Sequence, residues 1–157
     1  MPVVILKGAQ VVMRTDLLPK LMPWPLGPVF LAYTAASLTH FVHNAEYLAF
    51  YPNMPTWITR QTVYQAWLVV AAVGALGIGL RGMGWPALGA VVLALYGALG
   101  LYGLGHYTLA LCTEHSLTAN LTIWLEVLTG LMLMGAAARV AWRSRSVWTQ
   151  APARLQG

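Results

Sequence analysis

Four long apolar runs, at residues 29–50, 58–80, 86–109 and 115–141, decide what this chain can become. Each holds roughly 20 residues or more, enough for an α-helix to cross the hydrocarbon core of a bilayer. A backbone in hydrocarbon must satisfy its own polar groups, so the runs predict helices. The connections between them are short, which makes successive spans run in opposite directions. Of the 157 residues 59% are hydrophobic and 8% charged, with a mean hydropathy of +0.65, a balance that would not keep a soluble domain of this size dispersed in water. The expected fold is therefore an all-α integral membrane protein, a four-transmembrane-helix antiparallel bundle spanning 29–141. Residues 1–28 form an interfacial arm and 142–157 a basic tail.

The net charge of +5 does not signal a nucleic-acid partner, because the basic residues stand at the ends of apolar runs and form no dense patch. Lys7, Arg14 and Lys20 precede the first run, Arg81 follows the second, and Arg139, Arg143, Arg145 and Arg154 follow the fourth. Arg60 alone belongs to the other side. The positive-inside rule then puts both termini and the Arg81 turn in the cytoplasm. The expected location is a bacterial inner membrane, with the remaining loops in the periplasm.

In the arm, Pro19, Pro23, Pro25 and Pro28 oppose a regular helix across 19–28. Residues 1–20 lack the features of a cleavable signal peptide, and Met13 is an alternative start. Cys112 is the single cysteine, which excludes an internal disulfide and a dithiol relay of the four-helix quinone-oxidoreductase type.

Polar residues inside the spans are few and one-sided. In the first span Tyr33, Ser37, His40, His43, Asn44, Tyr47 and Tyr51 share a broad helical stripe, with Glu46 beside it. The second span is polar only at its start, at Gln61, Tyr64 and Gln65. The third is polar late, at Tyr96, Tyr102, His106 and Tyr107, among Gly97, Gly100, Gly103 and Gly105. Those glycines suit either close helix packing or space for a bulky planar ligand, and packing is the reading favoured here. In the fourth, His115, Thr118, Thr122, Glu126 and Thr129 recur every three or four residues, and Glu126 lies about 17 Å along the helix from His115. With alternating spans, the four histidines, Glu46, Glu114, Glu126, Gln61, Tyr64, Gln65 and Tyr102 meet in the non-cytoplasmic half. Ionisable groups there are costly and usually functional. A pocket is expected, deepest at Glu126 and lined by Asn44, Tyr47, Gln61, Tyr64, Gln65, Tyr102, His115 and Thr122. Set beside this, His115 and Glu114 read more readily as loop residues, Arg60 as a snorkelling cation, and Tyr51, Trp57 and Tyr107 as interfacial aromatics.

Three imidazoles with a carboxylate suit zinc, iron or copper, so a mononuclear metal centre at His40, His43, His106 and Glu126, with Glu46 as an alternative ligand, is the leading expectation. A dimetal site is not favoured, because the only Glu/His pair at the right spacing is the reversed His43-x-x-Glu46. A haem b held between the first and third spans is a less favoured form. The second class is metal-free acid–base catalysis by Glu46 or Glu126 with a neighbouring histidine, acting on a lipid, sterol or isoprenoid. His43 and Glu46, together with Tyr96-Gly97 and Thr113-Glu114-His115, resemble the emopamil-binding, sterol-isomerase type of four-span protein. That resemblance implies intramembrane His and Glu residues that shift a double bond by proton transfer. The third class is a subunit of a larger membrane complex, a homo-oligomer or a proton-conducting carrier. No phosphate-cradling, nucleophile-elbow or HExxH motif is present.

Overall fold

The computed structural model describes residues 21–150, and the expectations for 1–20 and 151–157 lie outside the described residues. Within that range all regular structure is helical. Helix α1 (Leu26–Glu46) is followed by a 3-10 turn at Leu48–Phe50, then α2 (Arg60–Gly82) and α3 (Pro86–Leu99). A 3-10 stretch at Gly100–Gly105 leads into α4 (His106–Leu109), a second 3-10 turn at Cys112–Glu114 and the long α5 (Leu117–Gln150). Three stretches, Arg60–Gly82, Pro86–Leu109 and Leu117–Ser144, are long and apolar enough to cross a membrane. Helix α1 has comparable length at 21 residues, but its polar stripe dilutes its apolar character.

Boundaries follow local chemistry. α1 begins two residues before Pro28, which sits in the first turn where a missing N–H costs nothing. The helix therefore starts inside the proline-rich segment expected to oppose it. α2 is capped by a reciprocal pair: Thr62 N–H donates to Thr59 Oγ1 at 3.2 Å and Thr59 N–H to Thr62 Oγ1 at 2.9 Å. Gly84, at φ +89°, makes the left-handed turn into Pro86, the first residue of α3. Ser116 caps α5 by accepting from the Ala119 N–H at 3.1 Å.

The third apolar run is not one uniform helix. After Leu99 the backbone tightens from α to 3-10 geometry for six residues. Glycines at 97, 100, 103 and 105 weaken the α preference there. A 3-10 helix stacks residues three apart, so Gly100, Gly103 and His106 fall into one row. Gly100 and Gly103 are buried and His106 is half-buried above them.

Glycine also sets how closely the helices approach. A Cβ on Gly97 would lie 2.6 Å from the Gly130 carbonyl oxygen, and one on Gly130 would lie 2.5 Å from that of Gly97, so α3 and α5 meet backbone to backbone. α2 meets α3 the same way, with Gly77 against Gly89 and Gly74 against the Tyr96 ring. α1 packs on α5 and α2. One half of the bundle is closed by an apolar core of Leu26, Tyr33, Leu93, Tyr96, Leu133 and Ala137. At its end the buried Arg81 donates to the backbone carbonyls of Leu21 and Pro86.

Candidate functional site

The other half of the bundle is hollow. A cavity of about 480 Å³ lies between α1, α2 and the 3-10 part of the third run. Its walls are apolar on the α2 side, at Ala66, Val69 and Val70, and at Phe41 and Leu99; its polar end is His40, Asn44, His106 and Glu126. Val69 is 68% exposed and Tyr102 81% exposed, so the cavity opens sideways past residues on the bundle's outer face.

His40 and Glu126, from α1 and α5, are each 2% exposed. His40 Nε2 lies 3.7 Å from Glu126 Oε2. On the third run the carboxylate lies beside Gly103, where a Cβ would meet Glu126 Oε2 at 3.4 Å, an ordinary contact.

With the Asn44 amide nitrogen turned toward the imidazoles, hydrogen-bond donor counts select one tautomer of His40. The Thr122 hydroxyl donates to the Ala119 carbonyl at 3.0 Å, which leaves its oxygen to accept from His40 Nδ1–H at 3.3 Å. His40 Nε2 then carries a lone pair, which accepts from Asn44 Nδ2 at 3.1 Å. The same amide nitrogen donates to His106 Nε2 at 3.0 Å. Both imidazoles thus turn a basic nitrogen toward the cavity's polar end, and the Asn44 amide holds them apart. Asn44 Oδ1 is left buried without a partner, as are the Tyr33 hydroxyl and Ser37 Oγ on preceding turns of α1.

A second layer lies toward the loops. Tyr51 is 4% exposed, folded under the end of α1, and its hydroxyl forms a hydrogen bond with His43 Nδ1 at 2.7 Å. Burial pushes its phenol pKa up to about 12 and the neighbouring Thr122 hydroxyl opposes the shift, so Tyr51 stays protonated at neutral pH. Its ring lies 4.9 Å from His106 and 6.1 Å from His115. Asn53, at φ 57°, anchors this loop by donating to the Leu109 carbonyl at 2.8 Å.

The structure brings together only part of the expected set. His40, Asn44, Tyr102, His106 and Glu126 share the cavity and Thr122 supports it. His43 does not join them: its Nδ1 is held by Tyr51, and with Tyr47 it lines a separate surface pocket beside Ser116 and Thr118. Glu46 points out of the bundle, where it pairs with Arg60 at 2.8 Å and accepts from the Tyr64 hydroxyl at 2.6 Å. Gln61 and Gln65 are exposed and do not line the cavity, and Tyr47 is 52% exposed. His115 is buried beside Tyr51, His106 and Tyr107, not in the cavity; its Nδ1 meets the Leu111 carbonyl at 3.0 Å.

These placements bear on the metal expectation. Among the described residues no three His, Cys, Asp or Glu side chains group as donors to one ion. Of the four expected ligands His43 faces elsewhere, and an amide separates the two remaining imidazoles. Their ring centroids stand 5.4 Å apart. Two glycines of the third run are packing surfaces, the reading favoured from the sequence: Gly97 against Gly130, and Gly100 against Tyr33 and the Glu126 backbone.

Sequence reasoning did not assign Tyr51 to the site, since a tyrosine just beyond a span reads as an interfacial residue. It also did not find Phe41, Val69, Val70 or Leu99, because apolar residues in a span carry no mark of facing a cavity. No protein family, curated protein or solved structure matches the chain. His43 and Glu46, two of the residues behind the sterol-isomerase resemblance, both lie outside the cavity.

Proposed function

We propose that this chain is a four-span membrane protein whose cavity receives an apolar molecule from the bilayer, a lipid, sterol or isoprenoid, and that Glu126 and His40 exchange a proton with it. The observation that carries the reading is the placement of the buried His40–Glu126 pair at the polar end of an otherwise apolar cavity open to the outer face. A volume of about 480 Å³ falls within the roughly 300–1,000 Å³ of small-molecule pockets.

Helix α1 is the remaining span. Its Ser37, His40 and Asn44 are buried against the other helices, while Leu31, Leu38 and Val42 are exposed on the opposite side. An apolar face outward and a polar face inward suits a helix in lipid. The distribution of Lys and Arg favours cytoplasmic termini and a cavity in the periplasmic half of a bacterial inner membrane.

In the resting arrangement His40 Nε2 is an unprotonated base facing the carboxyl group of Glu126. A substrate whose polar or unsaturated end sits between them can take a proton from Glu126 and return one to His40, the two groups trading roles. His106 and Asn44 orient that end by hydrogen bonding. The excluded bilayer water lets a weakly basic carbon or oxygen compete for the proton.

The test is photolabelling in lipid nanodiscs with two diazirine probes, one a sterol and one an isoprenoid alcohol, mapped by peptide mass spectrometry. Adducts concentrated at Phe41, Val69, Val70 and Leu99, displaced by excess unlabelled analogue, are expected from at least one probe. Adducts spread evenly over Leu31, Leu38 and the other lipid-facing residues would overturn the reading.

A further inference from the structure

The cavity's polar end holds a carboxyl group that no described side chain completes. Glu126 is 2% exposed, and His40 Nε2, at 3.7 Å from its Oε2, is beyond hydrogen-bonding reach. Ser37 Oγ and the Tyr33 hydroxyl, on the same face of α1, have no hydrogen-bond partner, so neither serves it. Both imidazoles at this end are turned to the Asn44 amide nitrogen, at 3.1 and 3.0 Å. A buried polar group without a partner is costly, and Glu126 lines the cavity. Resting on the reading above, we infer that the ligand of this cavity is a neutral lipid alcohol whose hydroxyl group completes Glu126.

The chemistry of Glu126 selects that head group. An ionised carboxylate only accepts hydrogen bonds, whereas the protonated acid must also donate one. A residue that gives up a proton and regains it meets its ligand in both states. A hydroxyl donates its hydrogen to the first and accepts from the second. An ether or ester oxygen can only accept, an ammonium can only donate, and a phosphate would set further negative charge beside the carboxylate. Among the described residues lining the cavity there is no lysine or arginine to offset such a charge. Arg60, in the same half of the bundle, is paired with Glu46 at 2.8 Å and largely exposed.

The way in imposes the same choice. On the loop side the buried Tyr51 ring covers the polar end, its centroid 4.9 Å from that of His106 and 6.1 Å from that of His115. At the other end the core of Leu93, Tyr96 and Leu133 closes the bundle. The opening is lateral, at Val69 and Tyr102. Val69 stands nine residues after Arg60, about 14 Å along α2, which is close to half the roughly 30 Å hydrocarbon thickness. A head group must therefore cross hydrocarbon near the bilayer centre to reach Glu126. Charged groups are costly there, and a single uncharged hydroxyl is far less so. The tail stays against Phe41, Val70 and Leu99.

The experiment presents the full chain in lipid nanodiscs with four ligands of one tail, farnesol, farnesyl methyl ether, farnesylamine and farnesyl phosphate, each at equal mole fraction in the lipid. Adducts are read by native mass spectrometry, and those that vanish in Val70→Trp are counted as cavity-bound. Farnesol is expected to bind at least tenfold more tightly than each of the others. Glu126→Leu should still bind but bring farnesol and its ether within twofold, while Glu126→Gln, whose amide both donates and accepts, should keep the alcohol preferred. Should the leucine variant not fold, the order in the parent and in Glu126→Gln decides. Ether, amine or phosphate bound as tightly as the alcohol, or an alcohol preference that persists in Glu126→Leu, would overturn the inference and leave the cavity reading standing. No cavity-bound adduct from any of the four would overturn both.

Discussion

Replacing Gly130 by alanine should separate helix packing from site chemistry. The new Cβ would stand 2.5 Å from the Gly97 carbonyl oxygen and 3.2 Å from Tyr33 Cε2. The first neighbour is backbone and cannot swing aside. Relaxing that contact to roughly 3.4 Å requires α3 and α5 to part by about 0.9 Å. Overpacking of this kind costs about 1–3 kcal/mol, against which alanine returns up to about 1 kcal/mol of helix propensity. The net expectation is a loss of about 1–2 kcal/mol. Gly103→Ala is the control, since its Cβ would meet Glu126 Oε2 at 3.4 Å and Ile123 Cγ2 at 3.6 Å, ordinary contacts. It should leave stability unchanged or raise it by up to about 1 kcal/mol, while narrowing the cavity's polar end. The assay is reversible unfolding of both variants in mixed micelles by denaturing-detergent titration. A Gly130→Ala protein as stable as the parent, or equal losses in both variants, would refute the backbone-contact argument.

Val70→Trp should fill the apolar wall opposite His40 and lower cavity photolabelling at least tenfold while the protein stays folded, as read by the same mapping. Glu46→Ala or Arg60→Ala should change stability by no more than about 1 kcal/mol, an effect that shrinks in high salt, because the pair is largely solvated with Arg60 68% and Glu46 36% exposed at the side chain. The Tyr51 phenol, raised from 10.0 to about 12, favours the folded state below pH 10; that contribution is lost as pH rises toward 12. An alkaline unfolding titration should therefore show a loss of stability across that window that is smaller in Tyr51→Phe than in the parent, the remaining tyrosines titrating in both.

How much of this could be read from the sequence differs by residue. His40, Asn44, His106 and Glu126 stood out because a polar group within an apolar run needs a partner, and the structure supplies partners from α5 and the third run. His43 and Glu46 had the same signal and a different fate. They sit three residues apart near the end of α1, where the helix is about to leave the bundle, and rotation by one position carries a side chain from cavity to surface. Periodicity gives the stripe but not its edge. The break to 3-10 geometry at Gly100 also escaped a helical reading, though its glycines were plain. It is this break that aligns Gly103 and His106 beside the Glu126 carboxylate. Tyr51 escaped for another reason: its loop is anchored by Asn53 binding the carbonyl of Leu109 at the end of α4, a contact between residues 56 apart. The opposing wall at Val69 and Val70 carries no local mark at all, because lipid and cavity select the same side chains.

The central claim is a cavity for an apolar organic molecule served by a metal-free proton pair. It is tested most directly by native mass spectrometry of the protein ejected from lipid nanodiscs, after incubation with the better photoprobe and separately with excess zinc. The account predicts a one-to-one organic adduct that is lost in Val70→Trp, and no metal retained after washing. A stoichiometric zinc, iron or copper mass that disappears in His40→Ala and His106→Ala, with no organic adduct, would contradict it.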